Sequence, residues 1–265
     1  MGNSKKFHIS GVLHVPPLPG APSSDGPFQA VVDHVLQDAE ALVLGGIGSA
    51  VLENFGDAPF RANRVRPHVP AMMAVLGTEI RSRFGSQLNL GINVLRNDGM
   101  AAIGVAVATG ASFIRVNVFS GSAWTDQGLI EGEADRITRY RRELCISNPS
   151  PRIMADVCVK HAVPAGVHCI QTLASEAVSR GGADGLIVTG SGTGCSASLD
   201  DVQMVVDVAR DRPVWVGSGA SPESIASIVE VASGVIVGTY LHRDENIMAP
   251  IEKDRVRSFV DAARS

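Results

Sequence analysis

The sequence predicts an α/β protein built as a closed (β/α)8 TIM barrel, and three observations support that prediction. Short apolar runs alternate with helical patterns along the whole chain, which is typical of parallel strands joined by crossover helices. Eight such units fit within 265 residues, close to the usual size of one such barrel. Long loops follow the strands and short loops follow the helices, so the long loops gather at one end. We therefore expect residues 1–265 to form one barrel domain.

The predicted strands are short apolar runs, each followed by a plausible helix. They are Phe7–Val15, Ser49–Asn54, Leu88–Val94, Phe113–Val118, Arg152–Val159, Gly185–Thr189, Val214–Gly217 and Val235–Gly238. The clearest helices are predicted at Val31–Leu44, Pro70–Phe84, Asn97–Thr109, Leu199–Arg210, Pro222–Val231 and Ile251–Ala263. Asp98 and Asp200 are expected to begin helices, and Ser221 to cap a helix with Pro222 at its first position. An open doubly wound sheet is the alternative, but no glycine-rich fingerprint follows the first strand.

Composition and charge exclude several classes of function. Hydrophobic residues make up 45% of the chain and charged residues 19%, which is typical of a globular protein. The net charge is −4 and only 5% of residues are aromatic, so no nucleic-acid partner is expected. The uncharged stretch Gly99–Ile114 is shorter than the ~20 apolar residues of a spanning helix. Peripheral membrane association stays open.

The same features indicate a cellular compartment. The N-terminus has no apolar signal core, and the four cysteines form no C-x-x-C pair. Reduced thiols and a cytoplasmic location are therefore expected. Barrels often pair, so a homo-oligomer is an open alternative to a monomer.

Polar side chains on the predicted strands are expected to point into the barrel. Side chains alternate along a strand, so the parity opposite the apolar one faces inward. This places His14, Glu53, Asn93, Asn117, Asp156 and Lys160 at the C-terminal strand ends, with Asn89 and Arg115 deeper. Buried charges need partners, so Arg115 could simply pair with Glu53 or Asp156. The functional interpretation is a catalytic site, because such barrels place their sites at this end.

The candidate catalytic residues are Glu53, Asp156, Lys160 and His14, and the pattern admits several roles for them. Asp156 and Lys160 could form an acid/base pair, since attraction and burial shift the pKa values of both. Lys160 could instead form a Schiff base, bind an anion or stay solvated. Glu53 with Asp57 or Asp156 could bind Mg²⁺. No Cys/His cluster indicates zinc, and the pattern requires no cofactor.

Glycine-rich turns after the last strands predict a phosphate-binding site. The seventh predicted strand runs into a Gly-Ser-Gly turn before the helix expected at Pro222, and the eighth ends in Gly-Thr. Glycine lets backbone N–H groups approach an anion, and a helix N-terminus adds positive potential. A further glycine-rich turn follows the sixth strand. The candidate phosphate-binding residues are Gly190, Ser191, Gly217, Ser218, Gly219, Gly238 and Thr239. Tight turns that need positive φ are the structural alternative.

A long loop, Ser120–Glu133, has glycines on both sides and is expected to act as a lid over the site. A packed surface loop is the alternative. The candidate substrate-binding residues are Asn93, Asn117, Arg115, Asp126 in this loop, and Thr189.

Six motifs follow one another along nearly the whole chain. They are His14 with Pro17–Gly20, Glu53–Asp57, Gly91–Asp98, Thr125–Gly132, Ala155–Asp156 with Val159–Ala162, and Val188–Gly190 with Thr193–Gly194. Together they resemble the BtpA/SgcQ family. The resemblance implies a ribulose-phosphate-binding type of barrel. The family is named for photosystem I biogenesis, while other members are described as nucleosidases or lie near sugar metabolism.

Two segments at the rim depart from the family pattern. Tyr240–Asp244 stands where a Lys-rich segment is usual, and Cys195–Ala197 replaces a Pro-rich turn. The ligand is therefore expected to differ from that of other members.

Three hypotheses of function follow. The first is an enzyme that acts on a small phosphorylated sugar or nucleoside, by N-glycosidic hydrolysis, isomerisation or aldol chemistry. Glu53 and Asp156 would then be acid/base or oxocarbenium-stabilising carboxylates, with Asn93 and Asn117 binding ribose-like hydroxyls. The second is a non-catalytic assembly or stability factor, as the family name implies. The third is a metabolite-binding sensor that has lost its chemistry.

Overall fold

Eight parallel strands close into a barrel in the computed structural model, which describes residues 7–145, 149–159, 161–166, 169–190 and 196–265. The barrel strands are β1 (His8–His14), β2 (Ser49–Glu53), β3 (Asn89–Asn93), β4 (Phe113–Val116), β7 (Arg152–Val157), β9 (Gly185–Val188), β10 (Val214–Val216) and β11 (Gly234–Val237). Each strand pairs with the next of this series, and β11 pairs with β1. The predicted fold class and all eight predicted strands are confirmed, with strand ends within two residues of those expected.

The helices lie between the strands. They are α1 (Phe28–Gly45), α2 (His68–Phe84), α3 (Gly99–Thr109), α4 (Ala134–Leu144), α5 (Ile170–Ser179), α6 (Leu199–Val208), α7 (Ile225–Val231) and α8 (Lys253–Ala262). Asp98 caps α3 as predicted, because its carboxylate accepts a hydrogen bond from the Ala101 amide at 3.0 Å. No helix in these described segments is long and apolar enough to cross a bilayer.

α6 begins at Leu199 as predicted, but its expected cap is wrong, and so is the predicted start of the next helix. Ser198, rather than Asp200, caps α6, since its hydroxyl oxygen accepts the Asp201 amide. The helix expected at Pro222 begins only at Ile225, because residues 222–224 form a separate turn in which the Ile225 amide bonds the Ser221 carbonyl. The N-terminus of α7, which carries the positive end of the helix dipole, therefore lies six residues beyond Gly219 rather than three.

The barrel interior has an apolar lower half, near the strand N-termini. Seven buried side chains fill it, one from nearly every strand: Val12, Val51, Phe113, Met154, Ile187, Trp215 and Ile236. The Phe113 ring occupies the space beside β3, where a Cβ on Gly91 would lie 2.2 Å from a ring carbon. Glycine at position 91 is therefore required by the close approach of that ring. Asn89 lies at the lower end of β3 and is half-buried.

A small antiparallel sheet stands beside the upper end of the barrel, where the sequence predicted only a loop. It contains β5 (Ser122–Thr125), β6 (Gly128–Glu131) and β8 (Ala162–Pro164), in the order β6-β5-β8. Ala123 and Ile130 pack its inner face against Val118 and Val159. Most of the predicted lid is thus a packed hairpin. Four-residue strands within a polar segment are too short for their alternation to be recognised.

Candidate functional site

The upper half of the barrel interior holds a hydrogen-bonded network of four polar side chains. Arg115 on β4 donates from Nε and Nη2 to the two Asp156 carboxylate oxygens, both at 2.9 Å. Asn117 Nδ2 donates to Asp156 Oδ2 at 2.9 Å, and Asn93 Nδ2 donates to Asn117 Oδ1 at 3.1 Å. All four residues are buried. Two oxygens that accept three charge-assisted hydrogen bonds hold the Asp156 carboxylate in one orientation.

Electrostatics keep Arg115 charged at this position. Burial lowers the pKa of Arg115, but the Asp156 and Glu53 carboxylates outweigh it, so its pKa lies above the ordinary value. Of the two partners left open by the sequence, Asp156 makes the bidentate pair, whereas Glu53 Oε2 lies 3.9 Å from Arg115 Nη1. Glu53 makes no side-chain hydrogen bond within the described segments, which leaves its carboxylate as the less constrained of the two.

Glu53 and Arg115 line two cavities at this end of the barrel. The first, here called the cradle cavity, has a volume of about 110 Å³ and also contacts His14, Gly217–Ser221 and Gly238–Tyr240. The second, the central cavity, has a volume of about 300 Å³. Its remaining lining residues are Phe55, Phe60, Leu95, Arg96, Asn117, Asp126 and His161. His14 and Glu53 therefore share a cavity with five candidate phosphate-binding residues: Gly217, Ser218, Gly219, Gly238 and Thr239.

The glycine-rich turns that line the cradle cavity are tied together by hydrogen bonds. The Gly190 amide donates to Ser218 Oγ at 2.6 Å, and the Gly217 amide donates to the Val188 carbonyl at 2.8 Å. These two amides are engaged within the protein, and Gly190 does not line the cavity. Gly219 has φ +68°, so the turn itself accounts for that glycine. Ser191 lies outside the described residues.

The remaining candidates are placed as follows. Thr189 is buried and donates from Oγ1 to the Cys158 carbonyl at 3.4 Å. Asp126, at the tip of the hairpin, lines the central cavity. Lys160 lies outside the described residues, so its proposed pairing with Asp156 stays a prediction.

Arg96 is a functional candidate that sequence reasoning missed. Its side chain is 5% exposed and lines the central cavity. Burial lowers the pKa of Arg96, while the charges of Asp156, Asp126 and Glu53 act in the opposite direction. Arg96 lies in a loop two residues after the third predicted strand. Strand alternation therefore could not indicate its direction, although it belongs to the Gly91–Asp98 motif.

Two other motif residues, Asn54 and Asp57, hold the loops around the site in place through hydrogen bonds. Asp57 accepts the Leu18 amide at 2.9 Å and Asn54 Nδ2 at 3.0 Å, and Asn54 Oδ1 accepts the Leu95 amide at 2.7 Å. Burial raises the pKa of Asp57 despite these hydrogen bonds. Both of its oxygens are engaged, which favours a fastening role over the magnesium site considered with Glu53. The described residues contain no group of three His, Cys, Asp or Glu side chains arranged to bind a metal.

His14 is held by a second histidine that the sequence did not single out. His14 Nδ1 lies 3.0 Å from His242 Nε2, and His242 Nδ1 lies 2.6 Å from the Ala249 carbonyl oxygen. The contact joins positions 228 residues apart in the chain. No local pattern could have indicated it.

The fold and this end of the barrel define a (β/α)8 protein with a charged, polar mouth beside glycine-rich turns. Residues 5–265 match the model of the BtpA family, and the chain belongs to that family, as the motifs indicated. The photosystem I biogenesis protein BtpA of Synechocystis sp. is 41% identical, over 96% of this chain and 87% of that protein. An uncharacterized protein of Thermococcus kodakarensis is 40% identical, over 97% of this chain and 95% of its own length.

Solved structures of low sequence identity share the fold. N-(5'-phosphoribosyl)anthranilate isomerase from Pyrococcus furiosus superposes with a TM-score of 0.57 and 14% identity. The superposition covers 97% of this chain and 98% of that one. At such identity the likeness supports the barrel architecture and carries no assignment of activity.

Proposed function

We propose that this protein is an enzyme that acts on a small phosphorylated sugar or nucleoside bound across the cradle and central cavities. The observation that carries the proposal is that Glu53 and Arg115 form a wall of both cavities. A phosphate at Gly217–Gly219 and Gly238–Thr239 would bring the attached carbon skeleton over the Glu53 carboxylate. The central cavity, at about 300 Å³, is at the lower end of the range for small-molecule sites.

The charges around the central cavity favour a particular class of reaction. Among the described residues, three carboxylates, Glu53, Asp126 and Asp156, face the two guanidinium groups of Arg96 and Arg115. A site with an excess of negative charge stabilises positive charge that develops on the ligand. Cleavage of an N-glycosidic bond develops such charge on the sugar carbon, since its transition state resembles an oxocarbenium ion. Aldol chemistry through a Schiff base would instead require Lys160.

The roles of the individual side chains follow from their contacts. Glu53 is the carboxylate that faces the ligand, as acid/base or as stabiliser of the developing charge. Asp156 orients Arg115 and Asn117 through its three hydrogen bonds. Asn117 lines the central cavity and would bind a sugar hydroxyl, while Asn93 supports Asn117 through its hydrogen bond.

A non-catalytic assembly factor is the second candidate function. The 41% identical relative is named for photosystem I biogenesis. One surface of this chain suits a protein partner: Trp124, Leu129 and Val163 are cross-strand neighbours on the small sheet and are 58%, 41% and 66% exposed. Contiguous exposed apolar side chains are typical of interaction sites.

Thermal shifts test the proposal. The panel contains ribose 5-phosphate, AMP, adenosine and inorganic phosphate, each with and without Mg²⁺. A ligand at ~100 times its Kd adds about 2.7 kcal/mol, which at this chain length is a Tm shift of several degrees. We expect ribose 5-phosphate or AMP to shift the Tm more than adenosine does.

A pair of variants tests whether the phosphate binds at the cradle cavity. Thr239→Asp is compared with its matched control, Thr239→Asn, in the same thermal-shift measurement. The two side chains have the same size and differ in charge, so only the aspartate should abolish the shift. Absence of a shift with every compound would contradict the enzyme proposal and favour the assembly factor. A shift that Thr239→Asp leaves unchanged would place the phosphate outside the cradle cavity.

A further inference from the structure

The segment that follows β11 carries a buried histidine for which the proposed function has no role yet. His242 is fully buried, and residue 242 forms an isolated antiparallel bridge with Ile251. Its imidazole hydrogen-bonds to the Ala249 carbonyl through Nδ1 and to the His14 ring through Nε2. A buried imidazole with both nitrogens engaged constrains the protonation of its partners.

The hydrogen bonds determine which nitrogen carries each proton. A backbone carbonyl oxygen can only accept, so His242 Nδ1 carries a hydrogen and donates it to Ala249. Burial lowers the pKa of His242, although the Ala249 carbonyl and the Asp38 carboxylate act in the opposite direction. The neutral ring therefore presents Nε2 as an acceptor. His14 then donates to it from Nδ1, so the neutral His14 ring carries its lone pair on Nε2.

The position of His14 brings that nitrogen to the cradle cavity. The ring lines this cavity, and a Cβ placed on Gly238 would lie 3.0 Å from His14 Cε1 and 3.5 Å from Nε2. The Phe55 ring packs edge-on against the imidazole with centroids 5.1 Å apart. The His14 ring is thus held in orientation by a hydrogen bond on one side and an aromatic contact on another.

We propose that His14 is the proton-accepting catalytic residue of this mouth, and that His242 is a positioning residue that holds His14 in its Nδ1-protonated form. The inference rests on the proposed function, which supplies the ligand. In the step, a proton of the attacking water moves to His14 Nε2, the oxygen electron pair forms the new bond to the sugar carbon, and the N-glycosidic bond breaks with its electron pair going to nitrogen. The imidazolium keeps its Nδ1–H bond to His242 and returns the Nε2 proton to that nitrogen.

The charged groups around this pair are consistent with such a step. Glu53 is the register partner of His14 on β2 and supplies a negative charge beside the imidazolium. Arg115 lines the same cavity, but its charge is compensated by Asp156. Glu245 also lines the cavity and pairs with Arg255 at 3.2 Å.

Nuclear magnetic resonance of the full-length chain labelled with ¹⁵N at its seven histidines tests the proposal without any substrate. Long-range ¹H–¹⁵N correlations distinguish the two neutral tautomers, and His14→Gln assigns the His14 signals. We expect His14 in the wild type at neutral pH to be protonated at Nδ1. Inorganic phosphate should shift the His14 Nε2 resonance, since the nitrogen lies at the cradle cavity.

Two variants separate positioning from packing. His242→Gln retains an oxygen that accepts from His14 and an amide that donates to Ala249, so it should preserve the His14 tautomer. His242→Leu keeps an apolar volume but offers no acceptor, so the Nδ1-protonated form of His14 should be lost. The Tm of each variant shows that the comparison is made between folded proteins. If His242→Leu does not fold, the His14 tautomer is still measured in the wild type and in His242→Gln.

The outcomes are distinct from those of the proposed function. A wild-type His14 protonated at Nε2, or an unchanged tautomer in folded His242→Leu, would overturn the inference while phosphate binding could still stand. A His14 tautomer as expected, together with no thermal shift from any phosphorylated compound, would support the positioning role of His242 and reject the substrate assignment.

Discussion

The two halves of the barrel interior differ sharply, although the same strands build both. On β7, Met154 packs in the apolar lower half, and Asp156, two residues later, pairs with Arg115 in the upper half. On β2, Val51 and Glu53 show the same contrast. Successive inward positions of one strand therefore belong to two environments. The barrel backbone therefore determines only the direction of each side chain, while side-chain chemistry makes one half apolar and the other polar.

The physical basis of stability differs between the halves. In the lower half, burial of apolar area is favourable, is not directional and tolerates volume-conserving substitutions best. In the upper half, each buried charge loses hydration, and the loss is offset only by a partner at hydrogen-bond distance. We therefore expect substitutions in the two halves to have different consequences, and four measurements test this contrast.

The largest effect is expected on breaking the Arg115–Asp156 pair. Arg115→Met leaves the Asp156 carboxylate buried without its bidentate partner, and should lower the free energy of unfolding by about 3–5 kcal/mol. Urea denaturation measures the loss. The double variant Arg115→Met with Asp156→Leu removes both charges and should be more stable than Arg115→Met. A double variant with the full sum of the two single losses would show that the pair is not coupled.

A pH effect is expected at the bottom of the barrel, where buried His8 Nε2 has no hydrogen-bond partner among the described residues. Burial, and secondarily the positive charge of Arg152, lowers the pKa of His8 from 6.5 to about 4. Below pH 6.5 His8 binds a proton in the unfolded chain but not in the folded chain. His8 therefore lowers the free energy of unfolding as the pH falls from 6.5 to 4. The loss is at most about 3 kcal/mol.

His8→Phe isolates this contribution. Phenylalanine can keep the stacking on Trp215, whose centroid is 4.4 Å from that of the imidazole, and it cannot titrate. The free energy of unfolding, measured from pH 7 to pH 4, should therefore decline less steeply in the variant than in the wild type. Equal slopes for both proteins would show that His8 is protonated in the folded state.

A smaller effect is expected from trimming the apolar lower half. Ile187→Val removes one buried methylene from the cluster and should cost about 0.5–1.5 kcal/mol. The Tm shift produced by a phosphorylated ligand should stay as in the wild type, since Ile187 lines neither of the two cavities. Loss of that shift would mean that the lower half does more than support the fold.

Of the four substitutions, Glu53→Gln is expected to have the smallest effect on stability and the largest effect on turnover. The Glu53 carboxylate is 3.9 Å from an arginine that Asp156 already pairs, so Glu53→Gln should change stability by less than about 1 kcal/mol. Turnover of the ligand should fall about 10²–10⁴-fold if the carboxylate acts as acid or base. Full turnover in Glu53→Gln would remove Glu53 from the mechanism.

The strands, the fold class and the inward direction of the polar residues were predictable because they depend on local periodicity. A side chain alternates with its neighbours whatever surrounds the strand, so Glu53, Arg115 and Asp156 were expected to point inward. Local periodicity does not choose between the two carboxylates as the partner of Arg115, since the choice depends on distances across the barrel. The sequence predicts the start of α7 three residues too early, because a capping sequence also suits the turn at residues 222–224 that precedes the helix.

The sequence by itself determined that this chain forms a barrel of the BtpA family with polar strand ends, because periodicity and ordered motifs are properties of the chain. Only the tertiary structure decided that Arg115 pairs with Asp156, that Arg96 enters the central cavity, and that His242 holds His14. Those contacts join strands and loops far apart in the sequence. Their geometry depends on closure of the barrel, which no single segment encodes.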